Sequence, residues 1–119
     1  MLIIPNGVTD VSFYTRAFNA QEVRRFSNDD GSIHVVELSI AGNLFHLHEQ
    51  WETGAISPQK AGLTTVSVGL FVDNVDEVTA SATASGATLK SPPQDYDYGY
   101  RQANLIDPFG HYWEISAVL

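Results

Sequence analysis

The sequence contains no cysteine, one methionine and six basic residues among its 119 positions. Without cysteine there is no disulfide scaffold, and no zinc site built on thiolates. Six Lys and Arg against fourteen Asp and Glu leave a formal charge of −8. The basic patch that phosphate binding requires is missing, so nucleic acid is not an expected partner. No apolar run approaches the ~18 residues of a membrane-spanning helix. The opening stretch "MLIIPNG" has no basic n-region and soon meets a proline, so no signal peptide is expected there. A cytoplasmic protein without a membrane partner fits these features. What is present is an ordinary apolar share, 44%, with 11% aromatics. That supports one domain over residues 1–119 with its own core.

Periodicity orders the chain. Residues 1–5 form a short apolar strand candidate. Val8, Val11, Tyr14 and Phe18 fall at helical spacing and predict a core-facing stripe over 8–18. "AQEVRRFS" reads as an exposed strand, and "NDDG" at 28–31 as a hairpin turn. From Ile33 to Ile40 the period is two, with Val36, Leu38 and Ile40 on one face. "AGN" turns into the strand "LFHLH". Residues 49–63 have no clear period and read as a long connecting loop. "TTVSVGLFV" is a strand. "NVDEVTASATASGA" is a helix with Asn74 at its N-cap, Glu77 at the third helical position and Gly86 at its stop. "TLK" is a short strand, "SPPQDYDYG" a proline-opened loop, and "YRQANLI" and "HYWEISAVL" are strands joined by the "DPFG" turn.

This order is one unit used twice. "VTDVSFYTRAFNA" at 8–20 lies over "VDEVTASATASGA" at 75–87 without a gap, and "GNLFHL" at 42–47 lies over "GHYWEI" at 110–115. His46 therefore falls where Glu114 falls, one in each half. A carboxylate and an imidazole that face one cavity can hold a divalent ion or act as acid and base. The expected fold is α+β: two βαβββ modules forming curved mixed sheets around a central cleft. Module one covers about 1–48, the loop 49–63 and module two about 64–119.

Two such units ending in "DPFGHYWEI" resemble the vicinal oxygen chelate superfamily, which includes glyoxalase I, extradiol dioxygenases and bleomycin resistance proteins. "FYTRAFNA" at 13–20, "AGNLFHL" at 41–47 and "YGYRQANLIDPFGHYW" at 98–113 are similar to its PhnB-like branch. The resemblance implies metal ligands at four places, the first and last strand of each half. Glu114 and His46 match the two last-strand positions. Ser67 stands where His or Gln is expected, and the equivalent residue of the first half would precede Met1. His34, His48 or a partner chain could supply the missing donors, though His34 also reads as structural.

The ligand-binding candidates are Glu114, His46, His48, Ser67, Phe71, Tyr112, Arg101, Trp51 and Tyr98. Loop aromatics can grip planar molecules or cover a dimer seam. Arg101 can anchor an anion, or it can pair with Asp95 or Asp97. His111 serves the hairpin or an interface. Two functional expectations follow. One is a small-molecule binding protein whose acidic, aromatic cleft suits a planar or cationic ligand such as an antibiotic. It needs no cofactor and binds Zn, Ni, Mn or Fe weakly at Glu114 and His46. The alternative is a metal-dependent lyase or dioxygenase acting on adjacent substrate oxygens. The resemblance also implies a homodimer, with exchanged modules as one of its forms. A third reading is an interaction module with a vestigial cleft.

Overall fold

The computed structural model describes all 119 residues. The first unit runs β1 (Leu2–Ile4), α1 (Phe13–Phe18), β2 (Gln21–Ser27), β3 (Ile33–Ile40) and β4 (Asn43–Glu49). The short α2 (Pro58–Ala61) interrupts the connection. The second unit runs β5 (Ser67–Phe71), α3 (Val75–Ala84), β6 (Thr88–Asp95), β7 (Tyr100–Ile106) and β8 (Tyr112–Val118). Each unit makes a four-stranded mixed sheet, ordered β1-β4-β3-β2 and β5-β8-β7-β6. The edge strands β1 and β5 run parallel to β4 and β8, and the other pairs are antiparallel. The expected pair of βαβββ modules is the fold found. No closed barrel forms.

The register supports the repeat. Leu2 lies opposite Leu47, and Leu70 lies opposite Ile115. Leu47 and Ile115 are fully buried, as are Val36 and Leu105 on the neighbouring strands. One face of each sheet is thus closed by helix. Helices α1 and α3 pack on one another, and Ser81 Oγ donates to the Arg16 carbonyl at 3.0 Å between them. Val11, Tyr14 and Phe18 enter the core as the helical spacing predicts. Tyr14 packs against Phe45 of the first sheet and Trp113 of the second, so both modules share one aromatic core.

Three boundaries differ from the sequence reading. Helix α1 begins at Phe13 rather than near Val8. In the repeat, Gly7 stands where Asn74 caps α3, and glycine offers no side chain to accept the first free amides. The stretch expected to be a proline-opened loop is part of β6, which continues through Pro92 and Pro93 to Asp95. Prolines are accepted there because β6 is an edge strand with register shifts on both sides of Ser91. The connecting loop also holds the one-turn helix α2, capped by Ser57 Oγ on the Lys60 amide.

Candidate functional site

The sheet faces turned away from the helices carry the polar residues. In the second sheet, strand alternation puts Tyr112, Glu114 and Ser116 of β8 on that face. Their partners across the ladder are Ile106, Asn104 and Gln102 of β7. Gln102 is buried and ties the face together. Its Nε2 donates to Glu114 Oε1 and to Ser116 Oγ, both at 3.1 Å. Its Oε1 accepts from the Tyr98 hydroxyl. Tyr98 reaches it because Gly99, at φ +97°, lets the chain turn back between Tyr96 and Tyr100.

A tier of aromatic rings stands beside this network. Phe71 meets Tyr100 edge-on at 5.5 Å, Tyr100 meets Tyr98 at 5.9 Å, and Tyr98 stacks on Tyr96 at 5.1 Å. Phe71 and Tyr98 are 61% and 60% exposed, high for aromatic side chains. Desolvation raises the Tyr98 hydroxyl above its ordinary value, with Tyr96, Glu114 and Asp97 adding to the effect. Tyr98 therefore stays a neutral donor at physiological pH. Glu114 Oε1 is occupied by Gln102, while no protein donor is bonded to Oε2. The face offers flat apolar surfaces with one carboxylate oxygen free for a cation or a hydrogen-bond donor.

The first sheet presents a different set. Glu37, opposite His46 in the ladder, accepts from or shares a proton with His46 Nε2 at 2.9 Å and lies 3.7 Å from Arg24 Nε. His48 sits between His34 and Trp51, with ring centroids at 4.8 and 4.9 Å. Glu49 gathers His34, Asn6 and Asn28. The His34 hydrogen bond is the largest influence on its carboxyl, which lies below the usual range. His46 and Glu114 are thus each partnered inside their own sheet. An apolar cavity of about 460 Å³ lies between the sheets, lined by Leu2, Leu44, Phe45, Val68, Phe71 and Trp113 among others. Neither His46 nor Glu114 lines it.

Arg101 points the other way. It alternates with Gln102 on β7 and meets Asp76 at the start of α3, at 2.7 and 2.8 Å, and Asp95 at 2.9 Å. Of the pairings foreseen, Asp95 forms. Asp97 does not, and Asp76, far away in sequence, takes two of the three bonds. Ser67 pairs with Tyr112 across β5 and β8, next to the Gly69–Glu114 pair. Trp51 bends over its own turn, where its amide bonds the Ala55 carbonyl at 2.9 Å. His111 serves the DPFG hairpin, with its amide and Nδ1 on Asp107.

Residues 9–115 match the family described as the Glyoxalase/Bleomycin resistance protein/Dioxygenase superfamily. The chain belongs to this superfamily. Among curated relatives, the uncharacterized proteins Mb0911c of Mycobacterium bovis and Rv0887c of Mycobacterium tuberculosis are each 31% identical over 119 residues. The match covers 97% of this chain and 78% and 70% of theirs. TioX from Micromonospora sp. ML1 superposes with a TM-score of 0.73 at 29% identity, covering 99% of this chain and 98% of that one. The fosfomycin resistance protein FosX of Listeria monocytogenes, solved with Mn(II) and sulfate, gives 0.70 at 21% identity over 99% and 86%. That second likeness is one of fold.

The superfamily's metal chemistry can be tested against the donors present. No group of three His, Asp or Glu side chains comes together that could hold a metal ion. Gly69, beside Glu114, has no side chain, and Ser67 offers only a hydroxyl. A transition-metal site needs about three good donors, so the residues of one chain do not fit one. Gln102, Tyr96 and Glu37 belong to these faces but were not among the sequence candidates. Alternation along "YRQANLI" puts Tyr100, Gln102 and Asn104 together and was the available signal for Gln102. Glu37 could be found only from the β3–β4 register.

Proposed function

We propose that this superfamily member is a small-molecule binding protein whose ligand is planar or cationic, such as an antibiotic. One observation carries the reading: the Phe71–Tyr100–Tyr98–Tyr96 tier stands beside a Glu114 carboxylate with Oε2 free. Flat rings supply stacking area, and a cation over them gains from both the ring faces and the carboxylate. The net charge of −8 favours the approach of such a ligand. Tyr112 and Ser67 flank Glu114 on the same face, whereas His46, His48 and Trp51 belong to the face of the first sheet. In a homodimer those residues of one chain oppose the second-sheet face of its partner. A PhnB-like affiliation, a cytoplasmic location and one 1–119 domain divided near 48 and 64 complete the proposal. Weak binding of Zn, Ni, Mn or Fe at His46 and Glu114 needs a donor from the partner.

Glu114→Gln preserves shape and removes the charge. It should weaken binding of a planar cationic dye, followed by fluorescence titration, by about tenfold. A neutral planar dye should be little affected. Equal affinity of the variant for the cationic dye would remove Glu114 from the site. Elemental analysis of chelator-free protein tests the other reading. One Zn, Ni, Mn or Fe per chain, lost in Glu114→Gln, would replace it with a metal-dependent lyase or dioxygenase.

A further inference from the structure

Ladder pairing sets Gly69, Glu114, Asn104 and Ser91 in one row across the second sheet, one residue from each strand. The row lies on the open face and is low at both ends. Gly69 has no side chain, and a Cβ there would meet nothing within 4 Å. Ser91 is short. At the centre, Glu114 and Asn104 are direct cross-strand neighbours, with Cβ atoms about 4.5–5.5 Å apart. Tyr112 stands on one side of the row, and Phe71 with the bonded Tyr98 and Gln102 on the other.

Both central side chains keep hydrogen-bonding capacity. Gln102 holds Glu114 Oε1 at 3.1 Å and leaves Oε2 free. The Asn104 carboxamide is half-buried and bonds no protein atom. Unpartnered side-chain atoms sealed from solvent are confined to Thr79 Oγ1 and His111 Nε2, so the free atoms of Glu114 and Asn104 are reachable. Side by side they offer one acceptor from Glu114 and an acceptor with a donor from Asn104. The complementary edge has two donors next to one acceptor. A single amino group supplies both donors, one N–H to each side chain, and an adjacent ring nitrogen accepts from Asn104 Nδ2. A carboxamide pairs in this two-point way with the amino edge of adenine. Because Gln102 occupies Oε1, Glu114 alone lacks the two free oxygens that a guanidinium or amidinium clamp uses. A planar ligand without the amino edge would cover both polar groups and leave them unpaired, which is costly.

We infer that the ligand of this face is an amino-substituted nitrogen heteroaromatic. Its ring lies against the aromatic tier, and Asn104 and Glu114 together read its N–C–NH2 edge. This rests on the Glu114 face being the binding site, and it makes Asn104 the residue that selects among planar ligands.

The test uses 2-aminoquinoxaline and 2-methylquinoxaline, planar compounds uncharged at neutral pH that differ by an amino group in place of a methyl. In calorimetric titration of the full chain, the amino compound should bind at least about tenfold tighter, as one net hydrogen bond predicts. It should also shift the Asn104 side-chain amide in 15N spectra. Asn104→Leu keeps the size and removes both hydrogen-bonding atoms, and should bring the amino compound down to the affinity of the methyl one. If Asn104→Leu does not fold, the compound pair and the Asn104 resonance of the unmodified chain still decide. Equal affinity for the two compounds, an unmoved Asn104 amide, or a preference that survives Asn104→Leu would each overturn the amino-edge assignment. Where a planar cationic dye still binds through Glu114, only the ligand class falls and the face remains the site. Where neither the quinoxalines nor the dye binds at millimolar concentration, both fall.

Discussion

Tyr14 joins the two halves of the molecule through one side chain. It sits on α1, and its hydroxyl reaches Asp107 in the second module, 93 residues away. Removing only that oxygen leaves a buried carboxylate short of a donor. Tyr14→Phe should therefore cost about 1–3 kcal/mol in urea unfolding. The pH dependence has two limbs. Asp107 has a folded pKa below its unfolded one, so its contribution is present above the ordinary carboxylate range and lost as acid passes the folded value. Burial, then the Asp107 charge and hydrogen bond, raise the Tyr14 pKa well above 10. Its contribution is complete below pH ~10 and is lost as pH rises further. Tyr14→Phe should flatten the alkaline fall, and a fall of unchanged steepness would assign it to other groups. Arg101 makes the contrasting case. The hydrogen bonds it donates to Asp76, then to Asp95, raise its pKa further above an already high value, and it remains a cation. Arg101→Ala should lower the melting midpoint at low salt, with the difference shrinking in 1 M salt. Dye affinity at the Glu114 face should be unchanged. A marked loss of affinity would return Arg101 to the ligand site.

Among the elements, helices α1 and α3 show how much one cap decides. Asn74 Oδ1 accepts from the Glu77 amide at 3.0 Å, and α3 runs ten residues. At the equivalent start of the first unit stands Gly7. There Asp10 instead binds the Ser12 amide and hydroxyl, and α1 runs only six. Asn74→Ala should destabilise the protein by about 1 kcal/mol in urea, with the loss registered in helical circular dichroism. A cost within error would mean that packing of Val75, Thr79 and Ala82 holds the first turn without its cap. Strand β6 shows the opposite effect, where position in the sheet overrides composition. Its prolines lack amides to donate, but an edge strand leaves one side free of partners.

At the scale of the whole molecule, each sheet has one face covered by helix and one left open. The open faces expose Phe26 and Leu44 in the first sheet and Phe71 in the second. The molecule is elongated, 49 × 28 × 22 Å. Pairing of two chains through these faces would bury the aromatics and leave a wet cleft between them. Light scattering on a size-exclusion column should give about 26 kDa, twice the 13.0 kDa chain. A monomer at tens of micromolar would refute the homodimer. Dye binding that survives in such a monomer would show that the Glu114 face works within one chain.

The twofold repeat, the core stripe of Val11, Tyr14 and Phe18, the Asn74 cap and the equivalence of His46 with Glu114 were all legible in the sequence. They rest on periodicity and on residue chemistry over a few positions, which the backbone cannot hide. The partners of the polar residues were not legible. Whether Arg101 meets Asp97 or Asp76, and whether His46 finds Glu114 or Glu37, depends on register and on how one module lies against the other. Gln102 at the centre of its network and the orphaned Nε2 of His111 became visible only once strands and core were in place. Hydrogen bonds between residues 9 to 93 positions apart are decided by tertiary contact, and no local pattern encodes them.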